Sequence, residues 1–115
     1  MQKESLTALV RHHLEAASAA SSGRSAHTIY GGHEHVLRQT LIAMRAGVSL
    51  TEHENPGEAT VQVLHGRVTL VAGGNRWNGS PGDLMTIPNS RHSLEAVESS
   101  VVLLTVAKRG ELVSG

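Results

Sequence analysis

The first segment of this chain repeats its apolar residues at one period, and everything after it repeats them at another. Leu6, Leu9, Val10, His13, Leu14 and Ala17 fall on one stripe of a helix predicted over residues 5–20, with Ser5 as its cap. Residues 19–25 are small and polar and predict a linker. From Ala26 onward the period is two. Thr28-Ile29-Tyr30 is a short strand stopped by Gly31-Gly32, and residues 36–45 form a longer, imperfectly alternating run that Gly47 ends. A strand then leads to His53, breaks at Asn55-Pro56-Gly57, and resumes over residues 59–64 before His65-Gly66 closes it. Val68, Leu70 and Ala72 alternate against Arg67, Thr69 and Val71; Gly73-Gly74-Asn75 is a hairpin turn, and residues 76–78 return. A further strand over 83–87 follows the turn at 79–82. His92, Leu94 and Ala96 then share one face, opposite Arg91, Ser93 and Glu95. Residues 101–106 are apolar throughout, as a strand buried on both faces would be. One helix followed by many short strands between Gly and Pro turns predicts an all-β sandwich or barrel. The division is a helix and linker over 1–25, a barrel over 26–107 and a tail over 108–115.

Composition narrows what such a barrel can do. At 115 residues the chain supports one core. Trp77 and Tyr30 are its only large aromatics, so that core is aliphatic. The formal net charge is zero with histidine neutral, so nothing steers the chain to a phosphate backbone. Two aromatics build no base-stacking platform, and nucleic acid is not an expected partner. There is no cysteine, hence no disulfide, thiolate metal site or Cys nucleophile. The N-terminus has no basic region followed by a long apolar run, and no window is apolar enough to span a bilayer. A cytoplasmic protein with no membrane partner is expected. Eight histidines stand out, because imidazole is the commonest metal ligand.

Two glycine-anchored stretches carry a resemblance. The first, residues 47–66, reads GVSLTEHENPGEATVQVLHG; the second, residues 82–94, reads GDLMTIPNSRHSL. Together they resemble the paired motifs of the cupin family, a small double-sheet jelly-roll barrel. The family's first motif is Gly, five residues, His-x-His, three or four residues, Glu, six residues, Gly. Here Gly47 is followed at that spacing by His53; Asn55 stands at the second His, and Ala59 at the Glu. Glu58 is adjacent, but on a strand it faces the other way. The second motif is Gly, five residues, Pro-x-Gly, two residues, His. Here Gly82, Pro88 and His92 match with one residue missing, and Ser90 replaces the Gly.

The resemblance implies ligands on the inner face of the barrel, in a cavity where imidazole and carboxylate suit a divalent metal. It assigns His53 and His92 to that site, on neighbouring strands. Asn55 offers an amide oxygen, a weak donor, and Ala59 offers none. His33-Glu34-His35 repeats the His-x-His pattern, so one of its rings is a further candidate donor if the strand it precedes lines the barrel mouth. Its alternative is a polar strand start beside Gly31-Gly32. His12 and His13 are adjacent and point to different faces of the helix, which makes them a polar edge and a packing residue. Gln62 reads as a packed amide, with a pocket contact as its alternative, His65 as a solvated side chain, and Glu34, Glu52, Glu54 and Glu58 as solvated carboxylates, with general bases as their alternative.

Three functions remain open on this reading. The first is a small cupin binding a divalent ion (Zn, Ni, Fe, Mn or Cu), partly occupied, and/or a small molecule inside the barrel. The second is a metal-dependent dioxygenase or isomerase acting on a small metabolite. The third is a non-catalytic dimerisation module. A homodimer is expected in any case, because the helix stripe and residues 101–106 offer more apolar surface than one small barrel covers.

Overall fold

A computed structural model describes residues 2–52 and 57–108. One helix, α1 (Leu6–Ala19), precedes nine strands: β1 (Arg24–Tyr30), β2 (Leu37–Met44), β3 (Ser49–Glu52), β4 (Gly57–His65), β5 (Val68–Ala72), β6 (Asn75–Gly79), β7 (Leu84–Thr86), β8 (His92–Ala96) and β9 (Ser100–Lys108). They form two antiparallel sheets, one of order β1-β2-β9-β4-β7 and one of order β3-β8-β5-β6. The expected all-β, double-sheet jelly roll with an N-terminal helix is what the chain adopts.

Two apolar layers hold it. Between the sheets, Met44, Val61, Val63, Val68, Leu70, Leu94, Ala96 and Val102 form an aliphatic core, with Ile42, Leu50, Met85 and Ile87 packed around it. On the outer face of the five-stranded sheet, α1 lays the stripe read from its periodicity onto Leu41, Ala43 and Val101. β9 serves both layers: Val102 belongs to the inner one and Val101 to the outer, and both are fully buried. The helix stripe thus packs on both β2 and Val101 of β9.

Local signals explain the ends of α1. Ser5 Oγ accepts from the Ala8 N–H at 3.2 Å. At the other end Arg45 Nη1 donates to the carbonyls of Ser18 and Ala20 at 3.3 and 3.1 Å, satisfying acceptors the helix leaves open. The linker is shorter than expected, because β1 begins at Arg24. Its register runs Arg24 to Met44, Ser25 to Ala43 and Ala26 to Ile42. Ser25 and His27 occupy the helix-facing positions of that strand together with Ile29, and two polar residues there conceal the alternation.

Those same polar residues surround His13. It is buried, with Nδ1 2.7 Å from Ser25 Oγ, its ring stacked on His27 at 5.8 Å and met edge-on by His12 at 4.8 Å. Burial first, then the proximity of His12 and His27, lowers the pKa of His13 below its ordinary value. Glu4 lies 3.9 Å from His27 across an exposed gap, too solvated to offset a charge on His13. The unfolded chain therefore takes up this proton more readily than the folded one. Stability from His13 is complete above about pH 6.5 and is lost as pH falls below it, until the folded state itself protonates. Thermal melts between pH 7.5 and 5 are expected to show that acid limb, and His13→Gln, which stays neutral, is expected to flatten it. An acid limb of the same size in the variant would remove His13 from the account.

Candidate ligand pocket

Between the sheets the core does not close completely. A cavity of about 50 Å³ remains, reached from Arg38 on β2, Leu50 on β3, Leu70 on β5, His92 on β8 and Leu104 on β9, with Ile42, Val61, Ile87, Leu94 and Val102 completing its wall. One water needs roughly 10–15 Å³ on this measure, so the space of about 50 Å³ takes about three to five, or a ligand of a few heavy atoms. Among the described residues, the only polar side chains in that wall are Arg38 and His92.

His92 reaches the cavity because the chain enters β8 there. Its Cα pairs with Glu52 on β3 and with Ala72 on β5. With Leu94 and Ala96 it forms the buried face of the strand, as the alternation predicts. Its Nδ1 lies 2.9 Å from the Ser90 carbonyl oxygen. A carbonyl only accepts, so Nδ1 carries the proton in this contact, and Nε2 is left with its lone pair. An imidazole oriented by a backbone carbonyl in this way has the arrangement common among metal-ligating histidines.

The other candidate residues are distributed as follows. His53 and Asn55 lie outside the described residues. Ala59 is buried on β4 and presents a methyl group where the family motif has a carboxylate, while Glu58 beside it is exposed. His33 and Glu34 form an exposed turn, not a strand start. His35 follows, with its N–H donating to the Gly32 carbonyl at 3.2 Å and its ring edge-on to Tyr30 at 5.0 Å. It lines a groove on the outer side of the five-stranded sheet, with Leu37, Gln39 and Leu103. Arg38 and Leu104, their neighbours in sequence, line the inner cavity. His35 lies in the outer groove and His92 on the inner cavity, on opposite sides of the five-stranded sheet, and neither His33 nor His35 lines the His92 cavity. Among the described residues no three His, Asp or Glu side chains gather as a metal would need. His92 therefore fits a metal in chemistry and orientation, and among the described residues no second His, Asp or Glu lines its cavity.

Arg38 was not singled out in the sequence. Its signal was present, since it shares a face with Ile42 and Met44 in the alternation of residues 36–45, and an arginine on a core-facing position is unusual.

No family model matches the chain, and no curated protein matches it. Solved structures do. A conserved protein of unknown function from Streptococcus pyogenes superposes with a TM-score of 0.71 at 24% identity, over 79% of each chain. A cupin superfamily protein from Desulfitobacterium hafniense superposes with a TM-score of 0.65 at 15% identity, over 74% of this chain and 79% of its own. An RmlC-like cupin protein from Desulfovibrio desulfuricans superposes with a TM-score of 0.64 at 23% identity, over 73% and 81%. The chain has the cupin fold. Among the described residues no helix is long and apolar enough to cross a membrane.

Proposed function

We propose that the chain is a small binding module whose barrel holds a divalent metal ion, one of Zn, Ni, Fe, Mn or Cu, through His92 and His53, with Asn55 as a weak third donor. The observation that carries this reading is His92: buried on the cavity wall, turned by the Ser90 carbonyl, and left with an Nε2 that has no partner among the described residues. A metal there would supply a Lewis-acid position for a ligand's oxygen atoms. Two imidazoles and an amide fall short of the three strong protein ligands usual in catalytic zinc sites, so the ion is expected to exchange readily. This favours reversible binding over a permanently loaded enzyme.

Equilibrium titration of the chelator-treated protein with each of the five ions tests it. The wild type is expected to bind at least one of them, and His92→Ala combined with His53→Ala to bind none. The barrel of the double variant is expected to stay folded, because its core is aliphatic. A wild-type chain that takes up none of the five ions would sink the metal reading, and a double variant that unfolds would make these histidines structural.

A further inference from the structure

We infer that the inner cavity accepts a short aliphatic carboxylate, with Arg38 as the residue that receives its charge. The inference rests on reading this cavity as a ligand site, but it does not require the metal.

Arg38 is half-buried on the cavity side of β2, and it has no acidic partner among the described residues, where the ion pairs are His27 with Glu4 and Arg76 with Glu95. Its hydrogen-bonding potential is likewise unspent there. Arg38 lines a wall that is otherwise aliphatic apart from His92, and no protein carboxylate among the described residues pairs with it. Its planar fork of donors matches a carboxylate, which it can hold through two parallel hydrogen bonds. The rest of the wall selects the ligand's other end. Ile42, Leu50, Leu70 and Val102 provide only apolar contact, which suits an alkyl chain and gives nothing to the remaining oxygens of a phosphate or sulfate. The volume of about 50 Å³ limits that chain to a few carbons. His92 is the other polar side chain that lines this wall among the described residues.

The test is a methyl-detected NMR titration of the full chain, chelator-treated and then zinc-loaded, with butanoate, butanamide and inorganic phosphate as probes. Butanoate is expected to shift the methyl signals of Ile42, Leu50 and Leu70, and butanamide, which has the same shape without the charge, to shift none of them. Arg38→Gln is expected to weaken butanoate at least about tenfold, the loss of a charge-assisted pair. Arg38→Lys keeps the charge without the fork and is expected to fall between the two. The inference is overturned if butanamide binds as well as butanoate, if phosphate alone binds, if butanoate leaves the cavity methyls unmoved, or if folded Arg38→Gln binds butanoate like the wild type. The metal reading fails separately. Butanoate binding in a wild type that takes up no metal would keep this inference and remove that one, whereas metal uptake without butanoate binding would do the reverse.

Discussion

Gly66→Ala is expected to destabilise the chain by about 2–5 kcal/mol, a large share of the roughly 5–15 kcal/mol that holds a domain of this size together. Gly66 sits between β4 and β5 with φ at +82°, a conformation an L side chain adopts only at a cost. The larger part of the effect is contact. A Cβ on Gly66 would run into the Ser99 carbonyl oxygen and Ser100 Oγ, and would come within 2.8 Å of Ser100 Cα. None of these atoms is free to retreat. Ser100 is completely buried, and its Oγ accepts from the Arg67 N–H at 3.0 Å while lying 2.7 Å from the Glu98 carbonyl and 3.0 Å from that of Arg67. The turn and the start of β9 are thus tied through one hydroxyl. Gly47→Ala separates strain from overlap, since φ there is +88° but nothing lies within 4 Å of the added carbon. Urea unfolding of both variants is the measurement. Gly47→Ala is expected to show the smaller loss, of about 1–2 kcal/mol. Equal losses would mean that strain alone accounts for Gly66.

The same glycine shows why the fold was legible in the sequence. Gly66 and Gly82 anchor the two motifs, and both take positive φ at turns where the chain reverses between strands. A turn that only glycine tolerates leaves a mark that spacing alone can read. The alternation at His92, Leu94 and Ala96 and the unbroken apolar run of β9 were legible for a related reason, since burial on one face or two dictates residue type directly. β1 was not. It is an edge strand whose covered face carries Ser25 and His27, because what covers it there is the His13 side of α1, not an aliphatic layer. Polar residues satisfied by polar neighbours leave no hydrophobic period to detect.

The site was legible in part, again for a physical reason. His92 could be placed because it belongs to a period-two strand with apolar companions. The His33-x-His35 pattern looked like a pair on one face, but that geometry requires an extended backbone, and Gly31-Gly32 lead into a turn instead. Which side of a sheet a residue faces follows from parity counted within its own strand. His35 precedes β2, so no count from sequence alone could assign it to the outer groove. Arg38 was readable by the same parity, and it went unremarked because a charged residue in an imperfect alternation passes for a break in the pattern.

Leu41→Ala is expected to cost about 2–5 kcal/mol in stability while leaving metal and carboxylate binding unchanged in the folded protein. Leu41 is fully buried on β2, under the helix, with Ala17, Ala43 and Val101. Truncation removes its contacts with α1 and leaves a void that the two rigid layers can only partly close. Adjacent along the strand, Ile42 points the other way, toward the inner core, and Leu41 is not in the cavity wall, so that wall loses no atom. Leu70→Ala is the contrast. Leu70 is equally buried, on β5, but it belongs to the inner core and to the cavity wall. Its truncation is expected to cost stability in the same range and, in addition, to enlarge the cavity, so that longer aliphatic carboxylates gain affinity relative to butanoate. Denaturant unfolding gives the first quantity for both variants, and a chain-length series of carboxylates gives the second. If Leu41→Ala changes the chain-length preference as Leu70→Ala does, the two apolar layers are mechanically coupled through β2, and the helix is part of the binding apparatus. Unchanged preference in Leu41→Ala, with a shift in Leu70→Ala, assigns stability to both layers and ligand size to the inner one alone.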